Sequence, residues 1–112
     1  MDSKEKTQRN KEVASTILQQ LGGNKFIVMT GAKDLVFSSG RKNCGALEFR
    51  IGRNSSKANK ICIELRPDDT YDMTFFRYAK MELKELKKHE GIYFDQLQEL
   101  FTEFTGMYTR LF

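Results

Sequence analysis

Two short runs with a strict two-residue period constrain this chain more than any other feature. Leu47, Phe49 and Ile51 alternate with Glu48 and Arg50, and Ile61, Ile63 and Leu65 alternate with Cys62 and Glu64. Successive side chains of a strand point to opposite faces, so each run is a strand with one apolar side. A polar loop, Gly52 to Asn59, joins them, and the simplest connection is an antiparallel one. Pro67, the single proline, closes the second run because it has no N–H to give to a ladder. Asp68-Asp69-Thr70 supplies the turn chemistry that follows.

The neighbouring segments extend the same sheet. Tyr71 to Tyr78 has large apolar groups in both alternating sets, Tyr71-Met73-Phe75 and Phe76-Tyr78, so its second face must also be covered. Lys80 to Lys88 has the composition of a helix. Its position immediately after a strand, and the alternation of Met81 and Leu83 with charges, predict a strand that ends at His89-Glu90-Gly91. Upstream, Phe26-Ile27-Val28-Met29 is a continuous apolar run expected to form a buried strand. Gly31-Ala32-Lys33-Asp34 then reverses the chain into Leu35-Val36-Phe37.

Helices bracket these strands. Val13, Ile17, Leu18 and Leu21 form a narrow stripe that predicts a helix from about Glu5 to Leu21, stopped by Gly22 and Gly23. Tyr93, Leu97, Leu100, Phe101 and Phe104 form a wider apolar face that predicts a second helix, ended by Gly106 with Met107 and Tyr108 folding back. The expected fold class is α+β: N-terminal helix, an antiparallel meander of about five to six strands, C-terminal helix, with the helices on one face. The expected organisation is a flexible tail over residues 1–8 and a single domain over 9–112.

Composition sets limits on function. The chain has 112 residues, 39% hydrophobic and 30% charged, the balance of a soluble globular domain. No apolar run approaches the ~20 residues of a membrane helix, and the first residues lack a secretory apolar core. A cytoplasmic location is therefore expected, with Cys44 and Cys62 reduced. The net charge of +4 is unevenly spread: Lys25 to Lys60 carries +6, whereas Ile61 to the C-terminus carries −3. Such asymmetry either marks an anionic partner or is a local bias of a solvated surface.

Three stretches, LQQLGGNKFIVMTGAKDLVF at 18–37, YDMTFFR at 71–77 and YFDQLQELFTEFTGMYTRL at 93–111, resemble in the same order a group of small, mostly uncharacterised proteins of bacteriophages and mobile elements. The resemblance implies a phage-type origin and a host-cell location and supports a strand at Lys80 to Lys88; it supplies no catalytic residues to carry over and leaves the mechanism open.

No catalytic, metal or cofactor set emerges from the motifs. Gly40 to Gly45 has the glycine spacing of a phosphate loop, but Ala46-Leu47 replaces its Lys-Ser or Lys-Thr, so a hairpin loop is expected. Cys44, Cys62 and His89 match no zinc spacing, although a Cys–His nucleophile pair could form in space. Asp68, Asp69 and Asp72 lack the glycine and distal glutamate of a calcium loop. Glu48 and Glu64 have Arg50 and Arg66 nearby to pair with.

What remains is a basic rim. In a meander the turns at Gly31–Asp34, Gly52–Lys60 and Ala79-Lys80 emerge at one end of the sheet, bringing Lys33, Arg53, Lys57, Lys60 and Lys80 together as an anion or nucleic-acid site. Phe76 and Tyr78 would add base stacking if exposed. The expected function is non-catalytic binding of nucleic acid. The alternatives are an anti-defence inhibitor that binds a host protein or sequesters a signalling nucleotide, and a Cys/His enzyme. A homodimer burying Phe76, Tyr78 or the C-terminal tail Met107-Tyr108-Leu111-Phe112 is also expected.

Overall fold

The computed structural model describes residues 3–109. Helix α1 (Ser3–Leu21) and a short helix α2 (Asn24–Thr30) precede five strands: β1 (Lys33–Ser38), β2 (Ala46–Arg50), β3 (Lys60–Leu65), β4 (Tyr71–Ala79) and β5 (Glu82–Ile92). A 3-10 turn (Phe94–Gln96) leads into helix α3 (Leu97–Thr105). The strands form one antiparallel meander in the order β1-β2-β3-β4-β5. The α+β class, the meander and the two bracketing helices are as expected from the sequence. Helix α1 begins at Ser3, inside the stretch expected to be a tail.

One element differs in kind. Phe26 to Met29, expected as a strand, lies in α2. Of its consecutive apolar residues only Phe26 is fully buried, Val28 is 80% exposed, and the next buried position is Thr30, four residues on from Phe26. Burial at i and i+4 is helical periodicity, which an unbroken apolar run conceals. Thr30 Oγ1 donates to Phe26 O at 2.7 Å. Gly31, at φ 68°, ends the helix in the left-handed region and donates its N–H to Ile27 O at 3.0 Å.

The core lies on one face of the sheet. Leu47, Phe49, Ile61, Ile63, Met73 and Phe75 meet Ala14, Ile17 and Leu21 of α1, Phe26 of α2, and Leu97 and Phe101 of α3. Phe26 packs edge-on against both Phe49 (centroids 5.3 Å apart) and Phe101 (5.1 Å), and Phe75 packs against Phe104 (4.5 Å). Tyr93, expected on the apolar face of the last helix, is instead exposed at its entrance, where its N–H donates to Gln96 Oε1 at 2.8 Å. Met107 packs on the core as expected, while Tyr108 stays exposed.

The segment after β4 is a strand and not a helix, as expected, but it begins at Glu82, with Lys80-Met81 in the turn, and continues through His89-Glu90-Gly91, which was expected to break it. Its register against β4 shifts twice, between Phe75 and Phe76 and between Tyr71 and Met73. Gly91, at φ 64°, supplies the left-handed residue beside the second shift. Its N–H donates to Asp72 Oδ1 at 3.1 Å, and Arg66 Nη1 reaches the same oxygen at 2.9 Å. Asp72 is thus a buried carboxylate with a charged partner and a main-chain donor. The second face of β4 is closed largely within the chain: Phe76 is only 8% exposed, so it offers neither a stacking surface nor a dimer contact. Tyr78, also expected in a dimer contact, is 46% exposed, and Leu111 and Phe112 lie outside the described residues.

Two stability predictions follow from this packing. Phe26→Ala removes the ring that joins α2, β2 and α3 and should cost about 3–5 kcal/mol in urea unfolding. The β4–β5 turn, Lys80-Met81, has both central residues at positive φ (53° and 64°) without glycine or asparagine. Lys80→Asn with Met81→Gly should relieve about 1 kcal/mol and raise the melting temperature by about 5 °C.

Candidate anion-binding rim

Antiparallel order places the start of β1, the end of β2, the start of β3, the end of β4 and the start of β5 at one end of the sheet. Lys33, Arg53, Lys57, Lys60 and Lys80 all belong to that end. Register brings some of them closer than topology alone requires: Lys33 pairs with Arg50, and Arg50 pairs with Lys60. Three neighbouring strands therefore present cations directly opposite one another. Like charges facing across a ladder oppose pairing. Asp34, at a left-handed φ of 55°, places Oδ2 3.9 Å from Arg50 Nη1 as a weak, exposed counter-charge.

Arg53 and Lys57 lie one loop further out, and both are exposed. Together with Asn54, Asn59 and Arg77 they line an open cleft of about 570 Å³. The loop is tightly held. Asn54 Nδ2 donates to Gly52 O (2.9 Å) and Ala58 O (2.7 Å), and its Oδ1 accepts from Ser56 N (3.0 Å). Ser55 Oγ donates to Thr105 O at the end of α3 (2.9 Å). Asn59 extends the β3–β4 ladder with its side chain, Nδ2 donating to Tyr78 O at 2.8 Å and Oδ1 accepting from Tyr78 N at 2.7 Å. Arg77 Nη1 donates to Lys57 O at 2.9 Å. These contacts fix the backbone that carries the cations.

On the open face beside the rim, Tyr78 is 46% exposed and shares a shallow groove with Arg50 and Lys60. Asp34 and Glu48 line the same groove, so the cationic path runs along the rim and not across the face. Lys80 sits apart from the cleft, in the hairpin tip next to Met81, which is 90% exposed. Sequence reasoning missed Arg50, Arg77, Asn54 and Asn59. The first two looked like ordinary strand residues, and the asparagines gave only a general loop signal.

The other constellations disperse. Gly40 to Gly45 is the β1–β2 hairpin loop, in which Arg41 N donates to Glu64 Oε2 at 3.1 Å. Glu64 therefore takes Arg41 as partner (3.8 Å) and not Arg66, which pairs with Asp72 (2.9 Å) and Asp68 (3.7 Å). Asp68 also accepts from Thr70 Oγ1 at 2.5 Å, a bond that holds its carboxyl below the ordinary range. Among the described residues, no three His, Cys, Asp or Glu side chains gather as a metal site requires.

Cys62 and His89 lie on opposite faces of the sheet, because Cys62 pairs with Thr74 while His89 pairs with Met73, the preceding residue of β4. Burial, and then the Glu64 and Glu48 carboxylates, push the Cys62 thiol far up. His89 stacks edge-on against Phe75 (6.2 Å), and burial together with Lys87 lowers its imidazole below the usual value. Cys44 lies in the β1–β2 loop, its Sγ 3.4 Å from Lys42 O.

No helix among the described residues is long and apolar enough to cross a membrane. Comparison with family profiles, with characterised proteins and with solved structures finds no match to this chain.

Cys62 should resist a thiol reagent at pH 8 until the protein is denatured, leaving Cys44 as the site modified in the native state. Mass spectrometry of the native protein and of Cys44→Ser checks this, and rapid native labelling of Cys44→Ser would contradict it.

Proposed function

We propose that this protein is a non-catalytic binding protein that takes nucleic acid along the basic rim of its sheet. The observation that carries the proposal is the direct opposition of Lys33, Arg50 and Lys60 across three strands. That arrangement works against sheet pairing, and a bound polyanion relieves it by placing phosphates between the cations. Arg53, Lys57 and Arg77 continue the positive surface around the adjoining cleft. Tyr78 offers an aromatic ring beside Arg50 and Lys60 on which an unstacked base fits, favouring single strands over duplex. The three asparagine and serine anchors of the loop make the surface rigid, so little ordering entropy opposes binding.

The test is fluorescence anisotropy with single- and double-stranded DNA at several salt concentrations. Engagement of about four phosphates predicts a log–log salt slope of about −3 for a single strand. Arg53→Glu with Lys60→Glu should weaken binding by at least about tenfold and flatten that slope. Tyr78→Ala should weaken single-strand binding more than duplex binding. Absence of binding at low salt, or an affinity indifferent to salt, would remove the proposal.

A further inference from the structure

The two edges of the sheet are built differently. Strand β5 is protected: its sequence, ELKELKKHEGI, is dense in charge, and two register shifts bend it away from regular pairing. Both are devices that stop an edge from recruiting another strand. Strand β1 has neither along its outer half. Leu35, Val36 and Phe37 follow one another with 37%, 53% and 40% exposure, and its one irregularity lies nearer its start, between Lys33 and Val36. No strand lies on its outer side among the described residues, because the segment that would have paired there, Phe26 to Met29, is in α2.

We infer that β1 pairs antiparallel with β1 of a second copy of this chain about a twofold axis at Val36, joining two sheets into one of ten strands. Three observations select a second copy. First, a bare strand edge is completed by another strand, because only a strand supplies matching donors and acceptors along its length. Second, the charges of β1 are confined to its first two residues, Lys33 and Asp34, and its far end is Ser38, followed by Ser39. Antiparallel pairing about Val36 sets the charged start of each strand toward the uncharged serine end of the other, whereas parallel pairing would bring the two charged starts together. Third, the assembly closes: the two edges left in the joined sheet are both β5, the protected one, so no further copy adds.

The same axis keeps the helices of both copies on one side. Val36 then meets Val36 on the open face, and Leu35 meets Phe37 of the other copy on the helix side. Val36 also borders the groove that holds Arg50, Lys60 and Tyr78. Pairing therefore brings the two grooves onto one continuous face, although the interface itself does not depend on any ligand.

Sedimentation of the full chain from micromolar to near-millimolar concentration tests the inference. The mass should rise from 13.0 kDa toward twice that value. Val36→Lys should hold it at the monomer value throughout, and Leu83→Lys on β5 should not. Because Val36→Lys could act by disturbing the fold, a second measurement uses Val36→Cys in a Cys44→Ser background. Mild oxidation should cross-link it between copies, whereas Leu83→Cys in the same background should stay uncross-linked. A native chain that remains monomeric at every concentration overturns the inference. So does a dimer that forms no cross-link through position 36.

Discussion

The contact on which most of the structure depends is the aromatic junction around Phe26. Its ring stands edge-on to Phe49 of β2 and Phe101 of α3, and Phe101 and Phe104 in turn lie against Phe75 of β4. A single buried side chain of α2 thus ties an inner strand to the C-terminal helix, and through it to a second inner strand. Edge-to-face rings contribute about 0.5–1.5 kcal/mol per pair beyond the area they bury. The larger consequence is geometric. A short helix of seven residues has no stability of its own in water, so its place in the fold comes from this junction.

That junction sets the register of everything at the rim. With Phe49, Ile61 and Phe75 committed to the helix side, Arg50, Lys60 and Tyr78 have no choice of face. Burial on one face therefore compels the opposition of Lys33, Arg50 and Lys60 on the other despite their mutual repulsion. The loop beyond is held by side chains doing backbone work. Asn59 pairs with both main-chain groups of Tyr78, and Asn54 closes its own loop onto Gly52 and Ala58. Cationic surface is thereby concentrated at one end of a sheet whose opposite end carries Glu64 and Asp72, each with an arginine beside it, Arg41 at 3.8 Å and Arg66 at 2.9 Å.

The elements legible in the sequence were those whose burial pattern matches their period. The alternating strands β2 and β3, the Pro67 stop, and the glycine ends of α1 and α3 all follow from local rules that nothing tertiary overrode. Strand β5 was legible only through its context, since its lysines, glutamates and leucines favour helix by propensity, and edge pairing with β4 outweighed that preference. The rim was legible as a topological consequence: once the meander was assumed, its turns had to share an end. Arg50 and Arg77 were missed because a charged residue on a strand is unremarkable until register shows what stands opposite it.

The sequence by itself determined the α+β class, the order of the strands and the positive bias of the residues before Lys60, because periodicity, turn chemistry and charge are local properties. Tertiary structure decided three things that no local rule contains. It made Phe26 to Met29 a helix, because only Phe26 finds a place among the core rings and Val28 is left to solvent. It left β1 as an open edge, because its expected partner had become that helix. It placed Cys62 and His89 on opposite faces of the sheet, because the register of β4 with its two neighbours fixes the side on which each lies. In each case the deciding quantity was which side chains could be buried together, and that is a property of the assembled core, not of any segment within it.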